Sequence, residues 1–273
     1  MKEFRTRTVW GILYVIVLLG AIVIGSYTFA ALFLILSVLV LREYYSLCRK
    51  AGFSPQVYPG LFAGAVLFAL SFFIAQHSIT YKEFYYLIPI VFAFPVYELF
   101  RKKKNPLANI ALTGFGIVFV SVPFAMLNFL AFPDFEGTNF YNYRLLISLF
   151  LFVWASDSGA YLFGVRFGRH KLFERISPKK SWEGLFGGVL TAIATAWILS
   201  YVFPQYGIAL LVVMAIVVVI SGTLGDLVES MLKRSIGVKD SGRFMPGHGG
   251  LLDRFDSILL ASPVIYFVFQ FFR

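Results

Sequence analysis

The chain alternates long apolar runs with short polar connections. Apolar stretches occupy about 9–25, 27–41, 58–75, 85–100, 107–132, 145–165, 183–203, 207–232 and 258–272. Most approach the ~20 residues a helix needs to cross the hydrocarbon core of a bilayer. Within lipid every backbone N–H and C=O must be satisfied inside the span, which favours helices. The pattern therefore predicts an all-α, polytopic integral membrane protein with about nine transmembrane helices. The first run follows a basic start (Lys2, Arg5, Arg7), as a signal peptide would. No small-residue cleavage pattern follows it and many more spans do, so it reads as a retained first helix.

The connections test this count, because Lys and Arg collect on the cytoplasmic side. Arg42, Arg49 and Lys50 lie in the second connection, and Arg101 to Lys104 in the fourth. The sixth holds Arg166, Arg169, Lys171, Arg175, Lys179 and Lys180; the eighth holds Lys233, Arg234, Lys239, Arg243 and Arg254. With the N-terminus cytoplasmic, 21 of the 24 basic residues fall on that side, leaving Lys82, Arg144 and Arg273 opposite.

Composition narrows the class further. The 273 residues are 59% hydrophobic and only 14% charged, which excludes soluble globular, disordered and fibrous chains. The single cysteine, Cys48, cannot form an intramolecular disulfide, and with three histidines it leaves no Cys/His zinc site. Residues 1–144 read as aromatic-rich supporting helices. Residues 145–273 hold eight of the 14 acids and both long basic connections, so the chemistry is expected there.

Asp157 lies inside the sixth run, and Asp226 and Glu229 lie near the end of the eighth. A charge at the bilayer centre costs roughly 2.5–3.5 kcal/mol on insertion scales, so such acids point to function. On a helix Asp226, Glu229 and Lys233 share one face. A simple i,i+4 ion pair between Glu229 and Lys233 accounts for part of this, but not for Asp226. Asp253 and Asp256 form a second i,i+3 pair downstream. Four carboxylates without zinc-type ligands suit a hard, oxygen-seeking cation such as Mg²⁺, which usually brings phosphates with it.

Ser177-Pro-Lys179-Lys180-Ser181-Trp-Glu183-Gly precedes the seventh run. Ser177 and Ser181 are candidate N-terminal residues of that helix, and a helix N-terminus favours anions. Lys179 and Lys180 can meet phosphate oxygens, whereas Arg166, Arg169, Lys171 and Arg175 read as an ordinary positive-inside loop. In the eighth connection glycines and a proline surround His248, letting backbone N–H groups approach a ligand. His248 reads equally as a phosphate donor, a general acid/base or a merely hydrogen-bonded residue.

These segments resemble the phosphatidate cytidylyltransferase (CDP-diacylglycerol synthase) family. The signature reads Ser230-x-Leu232-Lys233-Arg234-x4-Lys239-Asp240-x-Gly242-x2-Met245-Pro246-x-His248-Gly249-Gly250-Leu251-x-Asp253-Arg254-Phe255-Asp256. Met245 stands where the family pattern uses Ile, Leu or Phe. Asp157-Ser-Gly-Ala-Tyr161 with Gly164, and Ser177 to Gly184, also resemble family blocks; the likeness is strong over about 145–260.

The resemblance implies that CTP and phosphatidic acid give CDP-diacylglycerol and pyrophosphate, with Mg²⁺ dependence, cytoplasmic access for CTP and a homodimer. Asp226, Glu229, Asp253 and Asp256 would then hold one or two divalent ions, with room for a second, monovalent cation. Lys233, Arg234, Lys239 and Arg254 would neutralise substrate oxygens, alongside Asp240 and His248 of the signature, His248 as an orienting group. Lys179 and Lys180 would assist, and Asp157, Ser177, Ser181, Glu183, Gly249 and Gly250 would border the substrates. The +10 charge would thus mark a face for a nucleotide and an anionic membrane lipid rather than for nucleic acid. The short N-terminal extension leans toward a prokaryotic plasma membrane. A CTP-dependent lipid-alcohol kinase is the alternative enzyme. An ion or anion transporter would require unwound helices and inverted-repeat halves, whereas the acids here crowd into one half.

Overall fold

A computed structural model describes residues 2–133, 140–242, 244 and 249–271, with side chains from residue 8 onward. Among the described residues the α-helices are α1 (Lys2–Ile24), α2 (Ser26–Lys50), α3 (Val57–Ala75), α4 (Leu87–Arg101), α5 (Pro106–Gly116), α6 (Val122–Ala131), α7 (Tyr143–Phe167), α8 (Trp182–Val202), α9 (Gly207–Ser235) and α10 (Leu252–Phe271). Each of the nine apolar runs falls on helix, so the chain is an all-α polytopic membrane protein. Among the described residues seven helical stretches are long and apolar enough to cross a membrane. Thr8–Ile24 forms a shorter apolar helix, and α10 carries Asp253, Arg254 and Asp256 in its first two turns.

Three local departures from the sequence pattern have clear causes. The run 107–132 is α5 and α6 joined by a π turn at Ile117–Ser121. Pro123, which has no N–H and crowds the carbonyl four residues back, follows this turn at once. Helix α2 continues nine residues past its expected end at 41. Leu41, Tyr44, Tyr45 and Cys48 keep the buried helical face going while Arg42, Ser46, Arg49 and Lys50 face outward. Between α7 and α8 the basic connection is an antiparallel hairpin, β1 (Lys171–Phe173) with β2 (Ser177–Ser181).

The chain forms two compact units, Met1–Tyr141 with Ile236–Phe255, and Asn142–Ser235 with Asp256–Arg273. The segment Ile236–Phe255 belongs with the first helices. In the first unit, rings of Phe29, Phe33, Phe124 and Phe255 form a chain of aromatic contacts. The Tyr141 hydroxyl donates to the Ile22 carbonyl at 2.5 Å, and burial pushes its ionisation above the usual phenol range.

A polar knot ties α3, α4 and α5 together. Glu98, 5% exposed, accepts from Gln56 Nε2 (2.7 Å), Asn109 Nδ2 (2.8 Å) and Arg101 (2.8 Å). Gln56 precedes α3, its N–H donates to Thr113 Oγ1 on α5, and its side chain also donates to the Phe94 carbonyl. A buried carboxylate is tolerable here because a guanidinium and two amides share its charge.

In the second unit α7 and α8 meet through small residues, the device that lets membrane helices approach closely. A Cβ at Gly187 would stand 2.4 Å from the Phe163 ring, and one at Gly159 would collide with Thr191. The Thr191 hydroxyl donates across to the Ala155 carbonyl at 3.0 Å.

Glu98→Ala should strand three donors and destabilise the protein by about 3 kcal/mol, and Glu98→Gln by less. Equilibrium unfolding in detergent measures this; an unchanged midpoint for Glu98→Ala would contradict the role given to the knot.

Candidate active site

Helix α9 places Asp226, Glu229 and Lys233 on one face, as their spacing predicts. What sequence spacing alone does not specify is how Asp256 reaches them. A Cβ at Gly225 would lie 2.4 Å from the Asp256 carbonyl oxygen, and one at Gly222 would lie 3.2 Å from Ser257 Cβ. Only bare glycine backbone lets α10 come against α9 at this depth. One oxygen each from Asp226, Glu229 and Asp256 consequently lie within 4.8 Å of one another.

Three carboxylates this close repel, and two lysines oppose the repulsion. Lys180 Nζ lies 2.6 Å from Asp226 Oδ2, and Lys233 Nζ lies 2.5 Å from Glu229 Oε2. The Glu229–Lys233 ion pair read from sequence therefore exists, within the cluster rather than instead of it. Glu229 is fully buried. Ser230 Oγ donates to Asp226 Oδ1 at 3.1 Å, and the Ser257 N–H donates to Asp256 Oδ1 at 2.6 Å.

The hairpin supplies the basic side. Strand β2 carries Lys179 and Lys180 and ends at Ser181, whose Oγ accepts from Gly184 N at 3.1 Å and caps α8. A cavity of about 230 Å³ opens between α7, α8 and α9, with Asp157, Lys179, Lys180, Ser181 and Asp226 among its walls. Ser177 sits at the start of β2 opposite Phe173 and does not cap the helix. Glu183 serves the base of the hairpin: it accepts from the N–H groups of Arg169 and His170 at 3.2 Å and pairs with His170 Nδ1 at 2.6 Å.

In the first unit the signature loop follows α9 and leads into α10. Lys239 and Asp240 line a cleft of about 720 Å³ together with Arg42, Glu43 and Lys50 of α2. Asp253 faces this loop and accepts from Ser241 N at 3.1 Å and Gly250 N at 2.8 Å. Among the described residues Asp226, Glu229 and Asp256 come together, while Asp253 is bonded to amides of the loop that leads into α10. Gly249, at φ +84°, makes that turn in the left-handed region. Arg234 and Arg254 are exposed, and His248 lies outside the described residues. In sequence Arg42 and Lys50 read only as connection charges, and Glu43 does not stand out. The signal was available: a lone acid among three basic residues at a helix end.

The Cytidylyltransferase family profile matches residues 5–272. The chain belongs to this family. It is 32% identical over 265 residues to a phosphatidate cytidylyltransferase of Staphylococcus haemolyticus, covering 96% of this chain and 97% of that one. It is 31% identical over 266 residues to one from Staphylococcus aureus, with 96% and 97% covered. A Staphylococcus epidermidis phosphatidate cytidylyltransferase is 39% identical over 180 residues, or 66% of each chain.

A cytidylyltransferase is a nucleotidyltransferase, and its chemistry concentrates negative charge on the oxygens around the reacting phosphorus. The oxygen-only donor set of Asp226, Glu229 and Asp256 fits a divalent cation. Gly225→Ala should force α10 away from α9 and weaken divalent-ion binding about 10–100-fold, the range typical of displaced ligand shells. Mn²⁺ titration followed by electron paramagnetic resonance reads this directly; wild-type affinity would contradict the steric account.

Proposed function

We propose that this cytidylyltransferase joins the cytidylyl group of CTP to phosphatidate, giving CDP-diacylglycerol and pyrophosphate, on the cytoplasmic side of a bacterial plasma membrane. The observation that carries the reading is the three-carboxylate cluster beside a cavity walled by Lys179 and Lys180, in a chain of this family. A phosphatidate oxygen attacks the α-phosphorus of CTP. A new P–O bond forms as the bond to the β-phosphate oxygen breaks, and pyrophosphate leaves with the electron pair. The attacking phosphate monoester is already an anion near neutral pH, so no strong base is required.

Catalysis is then mainly positioning and charge neutralisation. The cavity is smaller than the ~300–1,000 Å³ of typical small-molecule sites, which suits it to phosphoryl groups rather than to a whole nucleotide. Lys179 and Lys180 meet phosphoryl oxygens, and Ser181 together with the start of α8 adds N–H donors and a favourable dipole. Asp226, Glu229 and Asp256 would hold Mg²⁺, which when bound neutralises charge on the phosphoryl oxygens. Lys180 and Lys233 offset the mutual repulsion of those carboxylates. Lys239 on the signature loop and the exposed Arg234 and Arg254 add positive charge for the two anionic substrates.

Purified protein incubated with labelled CTP, phosphatidic acid and Mg²⁺ should release pyrophosphate and form CDP-lipid. Release of CDP with a phosphorylated lipid alcohol would instead establish a kinase, and ion flux without either product a transporter. Asp226→Asn and Asp256→Asn should each lower turnover about 100-fold or more without loss of folding. Near-wild-type rates in both would overturn the metal assignment.

A further inference from the structure

We infer that Glu43, near the end of α2, is a positioning residue for the signature loop. The inference rests on the reaction proposed above only for its activity readout. Glu43 is 198 residues from Ser241 in sequence, yet its Oε2 accepts from Ser241 Oγ at 3.0 Å and from the Leu252 N–H at 2.9 Å. Leu252 is the first residue of α10, so one carboxylate oxygen joins the loop to a helix N-terminus, where negative charge is favoured. Ser241 is 1% exposed, and its N–H is held by Asp253. The loop is therefore gripped from both sides, by a carboxylate of α2 and by one of α10.

The glycines of the signature fit this grip. The three atoms nearest a Cβ at Gly242 all belong to Glu43, with Oε1 at 2.7 Å and Cδ at 3.0 Å. A Cβ at Gly250 would lie 2.4 Å from Glu43 Oε2. From sequence Gly250, beside His248, suggests close approach of a ligand; in the fold Gly242 and Gly250 both admit close approach of Glu43. A glutamate tip could ordinarily swing away from an added methyl group. Here swinging away means giving up both Ser241 and Leu252, so Gly242→Ala should act through Glu43. Lys239 and Asp240 precede Ser241 directly, and their placement beside α2 follows from this grip.

The geometry makes a double-mutant cycle decisive. Glu43→Ala should lower kcat for CDP-lipid formation at least about tenfold, with KM for CTP and phosphatidate within about twofold. Glu43→Gln, whose amide oxygen can occupy the Oε2 position, should recover most of that loss. Gly242→Ala should be about as damaging as Glu43→Ala in the wild-type background and nearly silent in the Glu43→Ala background. Hydrogen exchange at the Leu252 amide should accelerate in Glu43→Ala and in Gly242→Ala but not in Glu43→Gln, whatever reaction the enzyme performs. Additive losses, or unchanged Leu252 protection in Gly242→Ala and in Glu43→Ala, would overturn the inference. Wild-type protein lacking the activity while exchange follows this pattern would overturn the proposed reaction and leave the positioning role standing. If Glu43→Ala fails to fold, Gly242→Ala and Glu43→Gln decide the matter by the same two readouts.

Discussion

Everything at the candidate active site follows from the cost of holding three carboxylates within 4.8 Å of one another in a largely apolar molecule. Coulomb repulsion and desolvation both oppose that arrangement. It persists because two ammonium groups reach it from different elements, Lys233 from one turn along α9 and Lys180 from the hairpin. Positive charge is thereby held next to the three carboxylates from two elements of the fold.

The second requirement is backbone proximity. Asp226 and Glu229 come together by helical spacing alone, but Asp256 belongs to another helix, and only Gly222 and Gly225 let that helix come close enough. Small residues serve the α7–α8 contact in the same way, through Gly159 and Gly187. In lipid, where apolar side chains gain little by leaving the tails, such close backbone contacts are a main source of helix association. The site is therefore built by the same means that hold the helices together.

These two requirements explain what was legible in the sequence. The helices were, because a run of about 20 apolar residues has few alternatives in a bilayer. Asp226 with Glu229 and Lys233 was, because their relation is local. The three-way cluster was not separable from a four-way one: Asp253 and Asp256 differ by three positions, yet one turns to loop amides and the other to α9. The extension of α2 through Glu43 was hidden because Arg42, Glu43, Arg49 and Lys50 make the stretch look like a connection. Its buried face of Leu41, Tyr44, Tyr45 and Cys48 is visible only when periodicity is followed past the first charges. The hairpin was hidden for a different reason. Its strands are short and mostly polar, so they carry no alternating pattern to read.

The division of the chain also bears on how the protein is made. Each compact unit contains a segment from the last third of the sequence: residues 236–255 complete the first, and residues from 256 onward complete the second. A chain emerging from the ribosome can insert its first helices early, but the acidic cluster lacks Asp256 until α10 has been synthesised. A partly translated chain therefore has the lysine-rich hairpin without the full set of carboxylates. A chain interrupted before residue 256 is left without the three-carboxylate cluster in its membrane.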